Sequence, residues 1–476
     1  MPHCVILGGG VSGKAAERLA CSLGFSTEIL SDHPDLDAPS AIANADLLVC
    51  SPGVKPLSSP LWQAAVKRVK SGEPCEFISE LEFGFRHWPG KVLAITGTNG
   101  KTTTTELTVA LLQAVGIDAR PAGNIGYPLS DLVADLREGK LSADVLPIIE
   151  VSSFQLELSN TFAPYAAVLL NIKSDHVDRY AGGFDEYATV KKRIFDRVDS
   201  ANQIYGLSIN SPVPRRVTVH ENMMILDADF PLVDLGLPLK TGNLVKNRIS
   251  QLYARPYSYL VNFMLARYLQ NRSSKMRICR FLASSQFLEI PLGNTALTAP
   301  HNRENLAAAL ELCSRVLPST TIRSQKFQNA ITSFRPGRHR QELILSKDNI
   351  RYVNDSKATN PAATIAALQA TPGKVVLLLG GLDKGMDFSA IGEFAGQIRF
   401  VALYGECRKK IAEALPSTIP VADCGMDFER AIRTACDHAQ TGDTVLLAPA
   451  CASMDMFKDY QERGERFAQY ITNGYL

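Results

Sequence analysis

Residues 93–105 read LAITGTNGKTTTT, an apolar run, a turn with two glycines, a lysine and four threonines. This order predicts a strand, a tight turn and a helix. Gly97 and Gly100 let backbone N–H groups approach a polyphosphate, while Lys101 and Thr102 supply an ammonium and a hydroxyl for phosphates and Mg²⁺. The stretch therefore predicts a nucleoside triphosphate site. Because Ile95 stands where the usual phosphate-loop pattern begins with glycine, a plain strand–turn–helix junction is the alternative.

Length and composition set the broad class. A chain of 476 residues predicts about three domains, each able to bury a core. The formal charge of +2 points to no class of partner. No apolar run reaches the length of a membrane span, and the N-terminus has no signal-peptide pattern, so a cytoplasmic protein is expected. The ten cysteines are scattered without a CxxC pair, which predicts reduced thiols rather than disulfides or zinc.

Residues 1–88 alternate short apolar strands with helices, which predicts a small Rossmann-like α/β domain. Gly8, Gly10 and Gly13 match GxGxxG, and Asp32 follows at the distance where an acid could bind a ribose hydroxyl. This motif is weak by itself. It is equally typical of tight packing between a strand and the next helix.

Residues 89–335 are expected to form a central, mostly parallel α/β domain around the glycine-rich turn. Strand-like runs at 145–151 and 166–172 end near Glu150 and His176. Carboxyl ends of parallel strands meet at one edge of a sheet, so these side chains and Thr102 are candidate Mg²⁺ ligands. Residues 199–292 are hard to interpret: they are a divergent insertion or a damaged central sheet.

The later part of that segment, 240–280, is basic and rich in tyrosine. This composition could indicate an RNA-binding surface. An irregular part of the domain is the favoured interpretation. Residues 336–476 again alternate strands and helices, which predicts a second Rossmann-like α/β domain.

A series of motifs carries a family resemblance. They are TGTNGKTT at 96–103, GNIG at 123–126, EVSSFQLE at 150–157, DHVDRY at 175–180, HNREN at 301–305, GRHRQE at 337–342, NDSKATN at 354–360 and APACASMDMFKDYQERG at 448–464. In this order they resemble the Mur ligases, and among these the members that add D-glutamate. The resemblance implies a UDP-substrate domain at 1–88, a P-loop ATPase-type domain at 89–335 and an amino-acid-binding domain at 336–476.

The resemblance also implies site residues. Lys101, His176 and Lys191 would be catalytic. ATP would be bound by Gly97, Thr98, Asn99, Gly100, Lys101, Thr102, Thr103, Asn305, Arg340 and Asp355. Two magnesium ions would be held by Thr102, Glu150, His176 and Lys191. The UDP substrate would be bound by Ser12, Ser51, Asn124 and Ser152. D-glutamate would be bound by Lys357, Thr359, Lys384, Ser453 and Tyr460.

Lys191 matches a lysine that is carbamylated in the family. A free ammonium repels Mg²⁺, whereas a CO₂ adduct offers it an anionic oxygen. Lys192 is the competing candidate, and an unmodified, solvated lysine pair is the third possibility.

The implied reaction uses ATP to phosphorylate the carboxylate of UDP-N-acetylmuramoyl-L-alanine. The D-glutamate amine then attacks the acyl phosphate, and ADP and phosphate leave. A monomer without nucleic-acid partners is expected. The DNPR motif of the diaminopimelate-adding ligase does not occur, and Ala362 follows Asn360-Pro361, so Asn360 does not support that specificity.

Three alternatives remain open. One is a sister ligase with another amino-acid specificity. Another is a nicotinamide-dependent oxidoreductase, which rests on Gly8, Gly10 and Gly13 and leaves Lys101 without a use. The third is a nucleic-acid-binding ATPase that uses the basic stretch at 240–280.

Overall fold

The computed structural model describes residues 1–33, 35–176, 179–206, 297 and 299–473, together with the backbone of three short strands between 217 and 291. The predicted α/β class is confirmed, because helices alternate with strands of mostly parallel sheets. Most of segment 199–292, including the basic stretch at 240–280, lies outside the described residues. In the part of the chain that is described, no helix is long and apolar enough to cross a membrane.

The first sheet is parallel, with strand order β2-β1-β3-β4. Its strands are β1 His3–Leu7, β2 Ser26–Leu30, β3 Leu47–Cys50 and β4 Glu76–Ser79. The accompanying helices are α1 Val11–Ser22, α2 Ala38–Ala41, α3 Pro60–Lys70 and α4 Glu80–His87. Packing requires glycine at position 13 of α1, since a Cβ there would lie 1.9 Å from the Gly8 carbonyl oxygen.

The central sheet is also parallel, with order β6-β7-β5-β8-β9. Its strands are β5 Leu93–Thr96, β6 Ala119–Gly123, β7 Leu146–Glu150, β8 Ala166–Leu169 and β9 Gln203–Tyr205. Its helices are α5 Lys101–Ala114, α6 Leu129–Arg137, α7 Ser153–Leu156, α8 Gly183–Lys192, α9 Pro300–Val316, α10 Ser319–Ile322 and α11 Gln325–Ser333. Short 3-10 turns cover Arg193–Phe195 and Ser200–Asn202.

Each face of the central sheet packs into its own apolar core. One core joins the sheet to α5, α9 and α11. The other is shared with α1, α4 and α6, and it contains both Ile6 of the first sheet and Ile149 of the central sheet. The first two sheets are therefore held together by a common hydrophobic core.

Within segment 199–292, β9 extends the central sheet by pairing with β8. Three strands form a small antiparallel sheet in the order of the chain: β10 Val217–His220, β11 Met223–Asp227 and β12 Phe287–Pro291. Most of the residues that would distinguish an insertion from a damaged sheet lie outside the described residues.

The third sheet has order β13-β14-β18-β15-β16-β17 and is parallel except for β13, which is antiparallel to β14. Its strands are β13 Glu342–Lys347, β14 Ile350–Asn354, β15 Val375–Gly380, β16 Ile398–Tyr404, β17 Val421–Asp423 and β18 Thr444–Ala450. Its helices are α12 Pro361–Ala370, α13 Arg408–Ala414, α14 Phe428–Asp437 and α15 Tyr460–Thr472, with a 3-10 segment at Ser389–Phe394. The VVLLLG strand β15 is buried throughout, as expected for a central parallel strand.

Cysteine usage agrees with the sequence-based expectation. Every cysteine among the described residues is free, and most are buried.

One fully buried arginine on α15 supports two loops of this third sheet. Arg463 donates from Nε to the Ser356 Oγ at 3.0 Å and from Nη2 to the Ser356 carbonyl at 2.9 Å. It also donates to the carbonyls of Cys451 at 3.1 Å and Ala452 at 3.3 Å. The guanidinium therefore provides hydrogen bonds to buried acceptors on the segments after β14 and β18.

We expect Arg463→Met to lower the free energy of unfolding by about 3 kcal/mol, because buried carbonyls lose a charged donor. Urea unfolding followed by circular dichroism measures this change. Arg466→Met, on the same helix but with a side chain 57% exposed, should change the stability by less than about 0.5 kcal/mol. Equal unfolding midpoints for the two variants would contradict the assignment.

Candidate active site

The glycine-rich turn between β5 and α5 has the geometry of a phosphate-binding loop. Gly100 caps α5 with φ +87°, and a Cβ there would lie 2.2 Å from the Asn305 Oδ1. Gly97 has φ +155°, and its Cβ would lie 2.9 Å from the Leu170 Cβ. A side chain is therefore excluded at both positions. The loop leads into the first turn of α5, whose backbone N–H groups have no partner within the helix. The loop lines a large cleft.

A side chain after β8 holds the loop in place. The Asn171 Oδ1 accepts from the Asn99 backbone N–H at 2.9 Å, and the Asn171 Nδ2 donates to the Asn99 carbonyl at 3.1 Å. The Thr98 N–H also donates to the Asn171 carbonyl at 3.0 Å. The loop is thus pre-organised by the neighbouring strand's end.

Two lysines meet at one carbonyl of the loop. The Lys101 Nζ donates to the carbonyls of Gly97 and Thr98, each at 2.9 Å. The Lys191 Nζ, from the last turn of α8, donates to the same Gly97 carbonyl at 2.9 Å. Burial lowers the pKa of Lys101. Burial, and then the nearby Lys101 charge, lower the pKa of Lys191 well below its usual value.

Burial separates the two candidate lysines of α8. Lys191 is 2% exposed and lies 4.9 Å from the Tyr187 ring centroid. Lys192, the next residue, is exposed to solvent. Only Lys191 of this pair contacts the phosphate loop.

Glu150 and His176 lie at the carboxyl-end edge of the central sheet. Glu150 is the last residue of β7 and is 2% exposed. Its Oε1 accepts from the Asn124 Nδ2 at 2.8 Å, whereas its buried Oε2 has no hydrogen-bond partner among the residues that the structure describes. Such an orphaned carboxylate oxygen is available to a cation.

His176 follows β8 with a backbone φ of +51°, which is unusual for a non-glycine residue. Its ring packs edge-on against Phe154, with centroids 4.9 Å apart. Burial lowers the pKa of His176, and the neighbouring Asp175 only partly opposes this. A neutral imidazole is the form that binds a metal.

These donors suit Mg²⁺ held together with a polyphosphate. No group of three or more His, Cys, Asp or Glu in the described ranges forms a metal cage by itself. Mg²⁺ is usually bound by one or two carboxylates plus phosphate oxygens and water. The Glu150 Oε2, the Thr102 hydroxyl and the His176 imidazole border one cleft, so the donor set fits this cation.

The C-terminal sheet contributes the opposite wall of the same cleft. Asp355 follows β14, and burial raises the pKa of its carboxyl to about 7 although Arg340 opposes the shift. Burial, followed by the Arg340 charge, lowers the pKa of Lys357 to about 8. The Lys357 Nζ also lies 3.9 Å from the Tyr460 ring centroid. The Lys384 Nζ lies 3.4 Å from the Asp175 Oδ1.

A second cleft lies in the first domain-sized unit. Ser12, Ser51 and Asp32 line it. The Ser51 Oγ donates to the Gly8 carbonyl at 2.9 Å, and the Asp32 Oδ1 accepts from the Leu61 N–H at 3.1 Å. Both polar side chains are partly occupied by structural contacts.

Most of the residues singled out in the sequence border the large cleft. These are Thr98, Asn99, Gly100, Lys101, Thr102, Thr103, Asn124, Glu150, His176, Asn305, Arg340, Asp355, Lys357 and Thr359. Gly97 and Lys384 contact its lining residues, and Lys191 contacts Gly97. Three others lie outside both clefts: Ser152, Ser453 and Tyr460.

All three have structural contacts, and the Tyr460 ring lies against the Lys357 ammonium, which lines the large cleft. The Ser152 Oγ caps α7 by accepting from the Gln155 N–H at 3.3 Å. The Ser453 carbonyl accepts from the N–H groups of Met456 and Phe457. Their binding roles stay predictions.

Several lining residues were given no site role in the sequence analysis: Asn171, Asp175, His301, Gln341 and Asn360. Asp175 had a signal, because it directly precedes His176. Asn171 also follows β8 closely. His301, Gln341 and Asn360 reach the cleft only through the packing of distant segments.

The sequence matches two protein-family models and several known relatives. The Mur ligase middle domain matches residues 95–212, and the Mur ligase, glutamate ligase domain matches residues 339–451. A UDP-N-acetylmuramoylalanine--D-glutamate ligase of Aromatoleum aromaticum is 34% identical over 98% of this chain and 96% of its own length. A protein of the same name from Chloroherpeton thalassium is 31% identical over 99% of this chain and 98% of its own length.

Solved structures share the fold at low sequence identity. The UDP-N-acetylmuramate-alanine ligase MurC of Thermotoga maritima has a TM-score of 0.55 and 14% identity, covering 99% of this chain and 100% of its own. A pseudomurein peptide ligase type C of Methanothermus fervidus has a TM-score of 0.51 and 17% identity, with 94% and 96% covered. The near-full-length match to relatives above 30% identity is decisive, and this chain belongs to the Mur ligase family.

Proposed function

We propose that the chain is an ATP-dependent, ADP-forming ligase that adds D-glutamate to UDP-N-acetylmuramoyl-L-alanine, in the cytoplasmic synthesis of a peptidoglycan precursor. The relatives that carry this activity in their names support the substrates. The observation that carries the proposal is the large cleft, where a phosphate loop, an orphaned carboxylate and cations from the C-terminal sheet meet.

The nucleotide would occupy the loop side of the cleft. Backbone N–H groups at the start of α5 and the Lys101 ammonium would bind its phosphates. Lys101 would exchange its present bonds to loop carbonyls for phosphate oxygens. Asn305 would contact the adenine, and Arg340 and Asp355 would contact the ribose and the γ-phosphate side. The remaining loop residues, Gly97 to Thr103, would shape this site.

Two magnesium ions would be held by Thr102, Glu150, His176 and Lys191. When bound, Mg²⁺ neutralises charge on the phosphates. We propose that Lys191 is carbamylated, because burial lowers its pKa and so favours the neutral amine form, which is the form that can add CO₂. The amine nitrogen bonds to the carbon and releases a proton, which leaves an anionic oxygen ligand beside Gly97 and Lys101.

The first chemical step would join the alanine carboxylate to the γ-phosphorus, with ADP as the leaving group. The D-glutamate amine would then attack the acyl carbon through a tetrahedral intermediate and expel phosphate. Lys101 would stabilise charge on the transferred phosphoryl group. Packing of the C-terminal sheet over the cleft would exclude water that could hydrolyse the acyl phosphate.

The acceptor would lie on the C-terminal side. D-glutamate carries two carboxylates, and Lys357 and Lys384 offer it cations. Thr359, Ser453 and Tyr460 would complete this subsite. Ser12 and Ser51 of the second cleft, with Asn124 and Ser152, would bind the UDP substrate. Residues 1–88, 89–335 and 336–476 would be the three corresponding domains of a monomer.

Phosphate release tests the proposal. The purified chain is mixed with ATP, Mg²⁺ and UDP-N-acetylmuramoyl-L-alanine, and a panel of amino acids is screened. D-glutamate is expected to stimulate release, whereas L-glutamate, glycine and meso-diaminopimelate are not. Stimulation by another amino acid would favour a sister ligase. The nicotinamide alternative rests on a glycine pattern that has a packing reason here, and NADH binding without ATP binding would support it.

A further inference from the structure

Asn360 has no part in the chemistry proposed above, yet it lies between the two walls of the cleft. It is 3% exposed and follows directly on Thr359, in the segment that also carries Lys357. Its Oδ1 caps α12 by accepting from the Ala363 N–H at 2.8 Å. This cap uses only the oxygen of the amide.

The amide NH₂ makes bonds of a different kind. The Asn360 Nδ2 donates to the Asn99 Oδ1 at 3.1 Å, across 261 positions of sequence. It also donates to the Asp175 Oδ2 at 3.2 Å. The Asn99 Nδ2 returns a longer bond of 3.4 Å to the Asn360 Oδ1. One amide thus connects the phosphate loop, the segment of His176 and the segment of Lys357.

A helix cap alone would not require asparagine. Serine and aspartate cap helices about as well, since each offers an oxygen to the first turn. Neither offers the NH₂ group, and aspartate would place a second carboxylate against Asp175. Of these three residues, only asparagine can therefore make both the cap and the two contacts with the central domain.

The phosphate loop itself does not need this contact. The Asn171 side chain already bonds both the N–H and the carbonyl of Asn99. The Asn99 side chain is therefore available to contact Asn360 on the C-terminal side. The Lys384–Asp175 ion pair at 3.4 Å is a second contact between the two walls. Loss of the Asn360 amide should therefore loosen the two walls while ATP binding persists.

We infer that Asn360 is a positioning residue, which sets the acceptor segment of Lys357 and Thr359 against the phosphate loop through Asn99 and Asp175. The inference rests on the proposed function. It predicts a loss in the step that needs both walls, namely attack by the amino acid on the activated acyl group.

The test uses Asn360→Ser, which keeps a cap, and Asn360→Asp, which keeps both the cap and the size. We expect each to lower kcat about 10- to 100-fold, because small displacements of reacting groups are costly. The KM for D-glutamate should rise, while the Kd for ATP stays within about twofold. Asn99→Ala removes one of the two contacts of the Asn360 amide and should also lower kcat. The double variant Asn99→Ala/Asn360→Ser should be no worse than Asn360→Ser alone, since that contact is already lost there.

Asp427→Ser is the matched control. Asp427 caps α14 by accepting from the Arg430 N–H at 2.9 Å and lies outside the cleft, so activity should be unchanged. Thermal melts within a few degrees of the wild type would exclude unfolding as the cause. Wild-type kcat and KM in Asn360→Ser, or losses that multiply in the double variant, would overturn the inference.

Failure of the proposed function gives a different pattern. If the wild type is stimulated by another amino acid, the D-glutamate assignment fails, and the same variants measured with that amino acid decide on Asn360. If no amino acid stimulates the wild type, both conclusions fall.

Discussion

Lys101→Met is expected to lower D-glutamate-dependent phosphate release by about 10²- to 10³-fold, the usual cost of removing one preorganised charge-stabilising donor. Lys101 is the cation of the phosphate loop, and its Nζ already lies at that loop, 2.9 Å from two of its carbonyls. Methionine keeps a similar length and removes the charge. The measurement is kcat in a coupled phosphate assay with saturating substrates.

Lys101→Arg is the companion variant. It keeps the charge but replaces a compact ammonium by a planar fork, so we expect only partial activity. Because Lys101 donates into its own loop, both variants should be checked by thermal melting. A Lys101→Met enzyme within fivefold of the wild type would exclude Lys101 from phosphoryl transfer.

Lys191→Ala should be the second severe loss, by about 10²-fold or more, because it removes a proposed anionic ligand of the metal site. Lys192→Ala is the matched control, since this neighbour is exposed and should leave activity unchanged. Added formate or acetate should partly restore Lys191→Ala by supplying a carboxylate to the same space. Removal of CO₂ and bicarbonate should reduce wild-type activity reversibly.

The carbamate itself has a direct readout. Enzyme equilibrated with ¹³C-bicarbonate should show a carbamate carbon resonance that is absent from Lys191→Ala. Full activity of Lys191→Ala, or a wild type whose rate does not depend on CO₂ together with no carbamate signal, would contradict the modified lysine.

The local parts of the site could be predicted from the sequence because they depend on neighbouring residues. Gly97 and Gly100 mark a turn with positive φ, and the strand before it ends where the loop begins. Glu150 ends β7 and His176 follows β8, and these two parallel strands flank β5, so topology brings both residues to one edge of the sheet. These features need no knowledge of distant segments.

The other features of the fold and of the site depend on tertiary packing, so they could not be predicted from neighbouring residues. Spacing alone could not choose between Lys191 and Lys192, whereas burial separates them. The role of Gly13 as a close contact of the Gly8 carbonyl also appears only in three dimensions. Asn360 looked uninformative in the sequence, because its partners Asn99 and Asp175 are 261 and 185 positions away.

If the alanine carboxylate of UDP-N-acetylmuramoyl-L-alanine is activated as an acyl phosphate before D-glutamate attacks, one of its oxygens must leave with the phosphate. This activation is tested most directly with substrate labelled with ¹⁸O in that carboxylate, by mass spectrometry of the phosphate released. We expect one ¹⁸O atom to be transferred to phosphate for each amide formed with D-glutamate. Phosphate that carries no label, or label transfer without a D-glutamate-containing product, would contradict this activation.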